Sequence, residues 1–152
     1  MFRCKCCGAL NRVPPSLIGQ GGSVRCGRCK ASLDLSGAPQ SVNSTALAQA
    51  LSSSPVPVLV GFSAPHLHPG RRADPVVDEV ARAHAGSVIA LTLDVEREPA
   101  PAIVHGVRSV FADGRRQAVP TFVLFKRGQE VARRSGLLPS AQFGQWIDNS
   151  VG

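Results

Sequence analysis

The sequence predicts an α/β protein: a mixed central sheet with helices on both faces, preceded by a small cysteine-bearing module. Three observations predict it. Two Cys-x-x-Cys pairs lie near the N-terminus, an apolar strand, helix, strand pattern fills the middle, and a Gly-turned hairpin followed by an amphipathic helix closes the chain. At 152 residues, 43% of them hydrophobic, the chain fits one domain of about 100 residues plus an appendage. The expected boundaries are a ribbon at 1–35, a linker at 36–44 and the α/β domain at 45–152.

Cys4 and Cys7 form one knuckle and Cys26 and Cys29 a second, with eighteen residues between them. Four thiolates at that spacing close tetrahedrally on Zn²⁺, and glycines beside them permit turns that aim backbone N–H groups at sulfur. Four thiolates leave no open position, so the expected zinc is structural. Cys6 is left over and is expected to be free and exposed. Val13-Pro14-Pro15 and Gly19-Gln20-Gly21-Gly22 read as turns between the knuckles. Thirty-five residues cannot bury a real core, so metal binding must supply much of this module's folding energy.

All five cysteines fall within the first 29 residues, spaced as metal ligands and not as a disulfide framework, which favours a reducing compartment. The chain shows no charged start leading into an apolar run and cleavage site, and no apolar stretch of about 18 residues. Cytoplasmic residence without a membrane span is therefore expected. The formal net charge is +7, and residues 1–35 hold six Lys or Arg against one acidic residue. Zinc on four thiolates carries about −2 and lowers the ribbon's excess to roughly +3. No basic helix or aromatic-interleaved basic run accompanies it, so the case for nucleic acid is weak.

In the larger domain, Thr45 or Ser44 can cap a short helix through Ala46, Leu47, Ala50 and Leu51. Val56 to Phe62 is a continuous Val-rich apolar run, as a strand buried on both faces requires. Asp74 to His84 places Val76, Val77, Val80 and Ala81 on one helical face, and Val88 to Leu93 is a second buried strand. Pro99 and Pro101 limit any further helix to Ala102–His105. Thr121 to Lys126 and Glu130 to Arg133 flank Arg127-Gly128-Gln129 as a hairpin, and Ser140 to Ile147 reads as a closing helix with Phe143, Trp146 and Ile147 inward.

Taken together, Cys4-x-x-Cys7, Asn11-Arg12-Val13-Pro14, Cys26-Gly27-x-Cys29, Phe62-x-Ala64-Pro65, Pro69, Arg71, Val119-Pro120-Thr121-Phe122, Phe125-Lys126-x-Gly128 and Trp146 resemble the bacterial thioredoxins that carry an N-terminal zinc ribbon, the thioredoxin 2 class. The resemblance covers nearly the whole chain and implies a thioredoxin fold. It also implies where a reactive Cys-Gly-Pro-Cys would stand. Here that loop reads His66-Leu67-His68-Pro69-Gly70-Arg71, so Leu67 and Gly70 occupy the two cysteine positions and His66 that of the preceding tryptophan. The family's buried proton-managing Asp falls on Gly61 and its accompanying Lys on Thr92. Neither Leu nor Gly forms a thiolate, so dithiol exchange has lost both its attacking and its resolving group. His66 and His68 lack a third ligand nearby for a metal and read as a polar surface loop.

What the resemblance leaves is a client-binding frame. In thioredoxins the loop at a cis-proline pairs with extended substrate chains, and that role would fall on Val119, Pro120 and Thr121, with Ser135 and Gly136 alongside. The expected function is a redox-inactive thioredoxin-like module that binds protein or peptide clients as an adaptor or chaperone. The alternatives are a disulfide oxidoreductase using Cys6 or a ribbon cysteine, and nucleic-acid binding through the basic ribbon. A homodimer through Leu67-His68-Pro69 is compatible with the loss of the active-site residues. About eight extra residues at 111–118, immediately before Pro120, are expected to narrow the groove.

Overall fold

The computed structural model describes residues 1–17, 24–63, 73–101, 105–106, 120–136 and 139–151. The ribbon begins with β1 (Phe2–Arg3) and β2 (Leu10–Asn11), an antiparallel pair that joins Phe2 to Asn11 and Arg3 to Leu10. Between them lies the first knuckle, and the two knuckles repeat one hydrogen-bond pattern. The Cys4 N–H donates to the Ala9 carbonyl and the Gly8 N–H to the Cys4 carbonyl, each at 2.9 Å. The Cys26 N–H likewise donates to Ala31 at 2.8 Å and the Lys30 N–H to Cys26 at 3.0 Å. The residue that ends each turn has positive φ, 77° at Gly8 and 66° at Lys30. Lys30 tolerates this left-handed position while its ammonium donates to the Gly27 carbonyl at 3.1 Å.

The main domain runs β3 (Gln40–Ser41), α1 (Ser44–Ser53), β4 (Val58–Ser63), α2 (Ala73–Ala83), β5 (Ile89–Asp94), β6 (Thr121–Lys126), β7 (Gln129–Ser135) and α3 (Ser140–Val151). Its five strands stand in the order β3-β5-β4-β6-β7. β3 and β4 flank β5 in parallel, and β6 pairs antiparallel with both β4 and β7. Strand alternation divides the core in two. Val58, Val60, Phe62, Leu91, Leu93, Val123 and Phe125 meet Leu47, Ala50 and Leu51 of α1. On the opposite face, Leu59, Phe122 and Leu124 meet Val77 and Val80 of α2 and Phe143 and Ile147 of α3. This is the expected mixed sheet with helices on both faces. The β6–β7 turn is tighter than expected: Lys126 pairs with Gln129, and Arg127 and Gly128 both take positive φ, as a two-residue hairpin turn requires.

Two sequence expectations differ locally, and a third lies largely outside the described residues. Within 36–44, read as a linker, Gln40–Ser41 forms the edge strand of the sheet against Leu91 and Thr92, and the Val42 N–H continues the ladder to the Thr92 carbonyl at 2.9 Å. A two-residue polar strand has no periodicity by which to be read. The cap of α1 is Asn43, whose Oδ1 accepts the Ala46 N–H at 2.8 Å. Ser44 instead donates its backbone N–H and hydroxyl to the two carboxylate oxygens of Glu98, both at 2.9 Å. Of the helix expected at 102–105, only His105 belongs to the described residues. Its ring is packed edge-on against Phe125, centroids 5.1 Å apart, and is tilted against Phe62.

The ribbon is docked on the β3 side of the sheet. The Arg3 guanidinium donates to Gln40 Oε1 at 2.8 Å and the Gln40 amide returns a bond to the Arg3 carbonyl at 2.9 Å. The N-terminal ammonium donates to the Gly86 carbonyl at 2.8 Å, and Met1 and Leu10 pack against the α1-side core.

Candidate metal centre and client groove

The knuckle turns bring the Cys4, Cys7, Cys26 and Cys29 sulfurs within 4.8 Å of one another. Cys4 and Cys29 are 3.5 Å apart and Cys7 and Cys26 3.6 Å. A tetrahedral ion with Zn–S bonds of about 2.3 Å spaces its sulfurs about 3.8 Å apart, so the donor set is gathered closely enough to take a thiolate-bound ion. Polar groups already face one sulfur. Cys26 Sγ accepts the Arg28 N–H at 3.4 Å and the Asn11 side-chain amide at 3.5 Å, while Asn11 Oδ1 accepts the Gly27 N–H at 2.9 Å. The backbone N–H of Cys29, then that of Arg28 and the Asn11 amide, lower the Cys26 thiol to about 6. At Cys29 the Ala31 N–H favours the thiolate, but desolvation and the Cys4, Cys7 and Cys26 sulfurs outweigh it and raise the thiol to about 12. Four adjacent thiolates therefore call for a cation among them. Cys6 lies outside the cluster, exposed and free.

Asn11 is a supporting residue that ligand spacing alone does not find; its place in the Asn11-Arg12-Val13-Pro14 run was the available signal. Lys5 and Asp34 brace the module from outside at 2.9 Å. Hydrogen bonds from the Ser36 hydroxyl and from Lys5, together with the Ser36 N–H, hold the Asp34 carboxyl down at about 2.

The second site lies at the sheet's far end. Thr121 of β6 pairs with Ser135 of β7, and the Gly136 N–H donates to the Pro120 carbonyl at 2.8 Å. Gly136 has φ 81°, and a Cβ placed there would find nothing within 4 Å among the described residues. Four expected groove residues, Pro120, Thr121, Ser135 and Gly136, are thus brought together. Val119 and the Val119–Pro120 peptide bond lie outside the described residues, as do His66, Leu67, His68, Pro69, Gly70 and the 111–118 segment.

Under this frame is a cavity of about 460 Å³ lined by Pro39, Gly61, Phe62, Pro75, Thr92 and Pro120, among others. Gly61 and Thr92, where the resemblance places an Asp and a Lys, are partners across β4 and β5. Neither can carry charge or a titrating proton into the cavity. A Cβ at Gly61 would stand 3.3 Å from the Phe122 ring, so a side chain here would have to push that ring aside by a few tenths of an ångström. Among the described residues, no helix is long and apolar enough to cross a membrane.

Comparison with known proteins agrees with this architecture. The family model described as thioredoxin matches residues 38–149. Thioredoxin C-3 of Corynebacterium nephridii is 32% identical over 148 residues, 97% of this chain and 93% of its own length, so the likeness reaches into the cysteine module. Thioredoxin 1 of Nostoc sp. is 34% identical over 117 residues, 77% of this chain and all of its own. Among solved structures, a mutant thioredoxin from Halobacterium salinarum superposes with a TM-score of 0.63 at 27% identity, covering 78% of this chain and 96% of that one.

Proposed function

Because this chain belongs to the thioredoxin family, we propose that it is a redox-inactive member that binds protein or peptide chains, as an adaptor or chaperone-like module, with a structural zinc in its ribbon. One observation carries the reading: no cysteine follows Cys29, so the family domain at 38–149 contains no sulfur nucleophile at all. What remains at the sheet end is backbone. Pro120, Thr121, Ser135 and Gly136 form a strand terminus against which an extended client can hydrogen-bond, with the apolar lining of the cavity beneath.

Zn²⁺ is the ion we assign to Cys4, Cys7, Cys26 and Cys29, since an all-thiolate tetrahedral set is a structural zinc site. When bound, the ion would neutralise the thiolates and hold the two knuckles together. We place the chain with the ribbon-bearing thioredoxin 2 class and, because its thiols need a reducing environment, in the cytoplasm.

An insulin-reduction assay beside an authentic thioredoxin tests this reading: no turnover is expected, while unfolded client is still retained on the immobilised chain. Turnover would overturn it. The exposed Cys6 favours the rival reading, a thiol-dependent oxidoreductase. In that case turnover should disappear in Cys6→Ser.

A further inference from the structure

The chain-binding reading leaves the client's chemistry open, and one side chain narrows it. Arg134 of β7 is half-buried, and its Nε is the one buried side-chain N or O atom without a hydrogen-bond partner among the described residues. None of the described ion pairs includes it. Its neighbour Arg133 is fully engaged, donating to the His105 and Gly106 carbonyls and to Glu130. Three acids of the same domain are paired with other residues. Asp78 holds Arg82, Asp148 holds His84 and Glu130 holds Arg133. An enclosed Nε without an acceptor is costly, and the structure retains it beside a candidate site.

The place of Arg134 says what would relieve it. It is the cross-strand partner of Phe122, so both side chains leave the same face of the sheet. Phe122 lines the cavity, and its ring meets Phe143 of α3 edge-on at 4.9 Å. One residue further on, Ser135–Gly136 forms the strand end bonded to Pro120. The twelve-residue α3 starts at Ser140 with no acidic residue in its first turn, leaving its N-terminal dipole unopposed. A guanidinium offers planar paired donors that match a carboxylate. None of the described residues would meet a Cβ at Gly136 within 4 Å, so none of them stands against an extended chain laid beside that strand end.

We propose that Arg134 is the specificity-determining residue of the groove and that the client is an extended acidic segment, one Glu or Asp of which pairs with the guanidinium while its backbone runs beside Gly136. This rests on the chain-binding reading above, and the test separates the two. Fluorescein-labelled peptides alternating Val with Glu, with Gln or with Lys are titrated against the full zinc-loaded chain by anisotropy. The Glu peptide is expected to bind best. Arg134→Gln should weaken it by roughly tenfold or more, since a charge-assisted bidentate pair is lost. Arg134→Lys should fall between, keeping the charge but not the fork. Arg127→Gln, in the exposed turn at the other end of β7, should change affinity less than about twofold. Melting curves establish that each variant is folded. Equal binding of Glu and Gln peptides, or equal losses in Arg134→Gln and Arg127→Gln, overturns the inference and leaves the chain-binding reading standing. If none of the peptides binds, both fall. A single-stranded oligonucleotide bound as tightly and as dependent on Arg134 would overturn the acidic-peptide assignment.

Discussion

The ribbon and the sheet domain are held together by different atoms. In the ribbon the centre is four sulfurs, supported by backbone N–H groups and the Asn11 amide, with Phe2 and Val13 as its buried apolar side chains among the described residues. In the sheet domain the centre is two hydrocarbon layers, with Phe62, Val123, Leu124 and Phe143 sealed from solvent, and no sulfur at all. The difference teaches where each part is vulnerable. A module whose core is a coordination sphere is lost with its ligands, whereas a module whose core is packing loses stability in proportion to the volume removed.

Metal removal should separate the two most sharply. A structural zinc contributes about 10–16 kcal/mol to modules of this kind at neutral pH. Chelation, or Cys26→Ser, is expected to unfold the ribbon while the sheet domain keeps its cooperative transition. Elemental analysis should find one zinc per chain in the wild type, and amide NMR before and after chelation locates the loss. Ribbon signals that survive chelation would break the comparison from one side.

Phe143→Ala attacks the other side. Phe143 is fully buried and meets both Phe122 and Trp146 edge-on. Truncation should cost about 3–5 kcal/mol in denaturant unfolding of the sheet domain and leave zinc stoichiometry unchanged. Zinc loss in this variant would mean that the two parts fold as one unit.

Gly37→Ala sharpens the connection between them. At φ 80°, an added Cβ would stand 2.7 Å from the Ala85 Cβ and 2.8 Å from the Ala81 carbonyl oxygen, which cannot yield cheaply. A cost of about 1–3 kcal/mol is expected, read as a shifted denaturation midpoint. A neutral result would show that the approach to β3 is free to move.

The smallest effect is a pH dependence confined to the sheet domain. Burial lowers the pKa of His105 below its ordinary value of 6.5, Glu130 opposing and Arg133 assisting. The folded state thus prefers the neutral ring. Its contribution is intact above pH 6.5 and declines as the pH falls from there through the folded value, because the unfolded chain takes the proton first. Melting temperature against pH should show a slope below 6.5 that His105→Gln reduces; an unchanged slope would assign it elsewhere.

The ease of reading these parts from sequence follows the range of the interactions. The four-cysteine cluster was legible because a site able to hold a metal demands a local Cys-x-x-Cys spacing. The strands at 58–63, 89–94 and 121–126 were legible to within two residues because burial on both faces leaves an apolar run. The edge strand Gln40–Ser41 was not, since it is polar and two residues long. The ribbon's dock was hidden for another reason: Arg3 meets Gln40 across 37 residues, and Met1 meets Gly86 across 85.

By itself, then, the sequence determined where chemistry is possible. Sulfur stops at Cys29, charge is absent at Gly61 and Thr92, and each is a property of a residue's own atoms. The tertiary structure alone decided which groups go without partners. That Glu130 serves Arg133 and not Arg134, that Gly61 faces Thr92 above a cavity, and that His105 lies against Phe125 depend on strand register and on helix packing across the sheet. Gly61 and Thr92, and His105 and Phe125, are distant in the chain and no local spacing encodes them; Glu130 and Arg133 are three residues apart, but which arginine the carboxylate takes is settled by the strand's conformation.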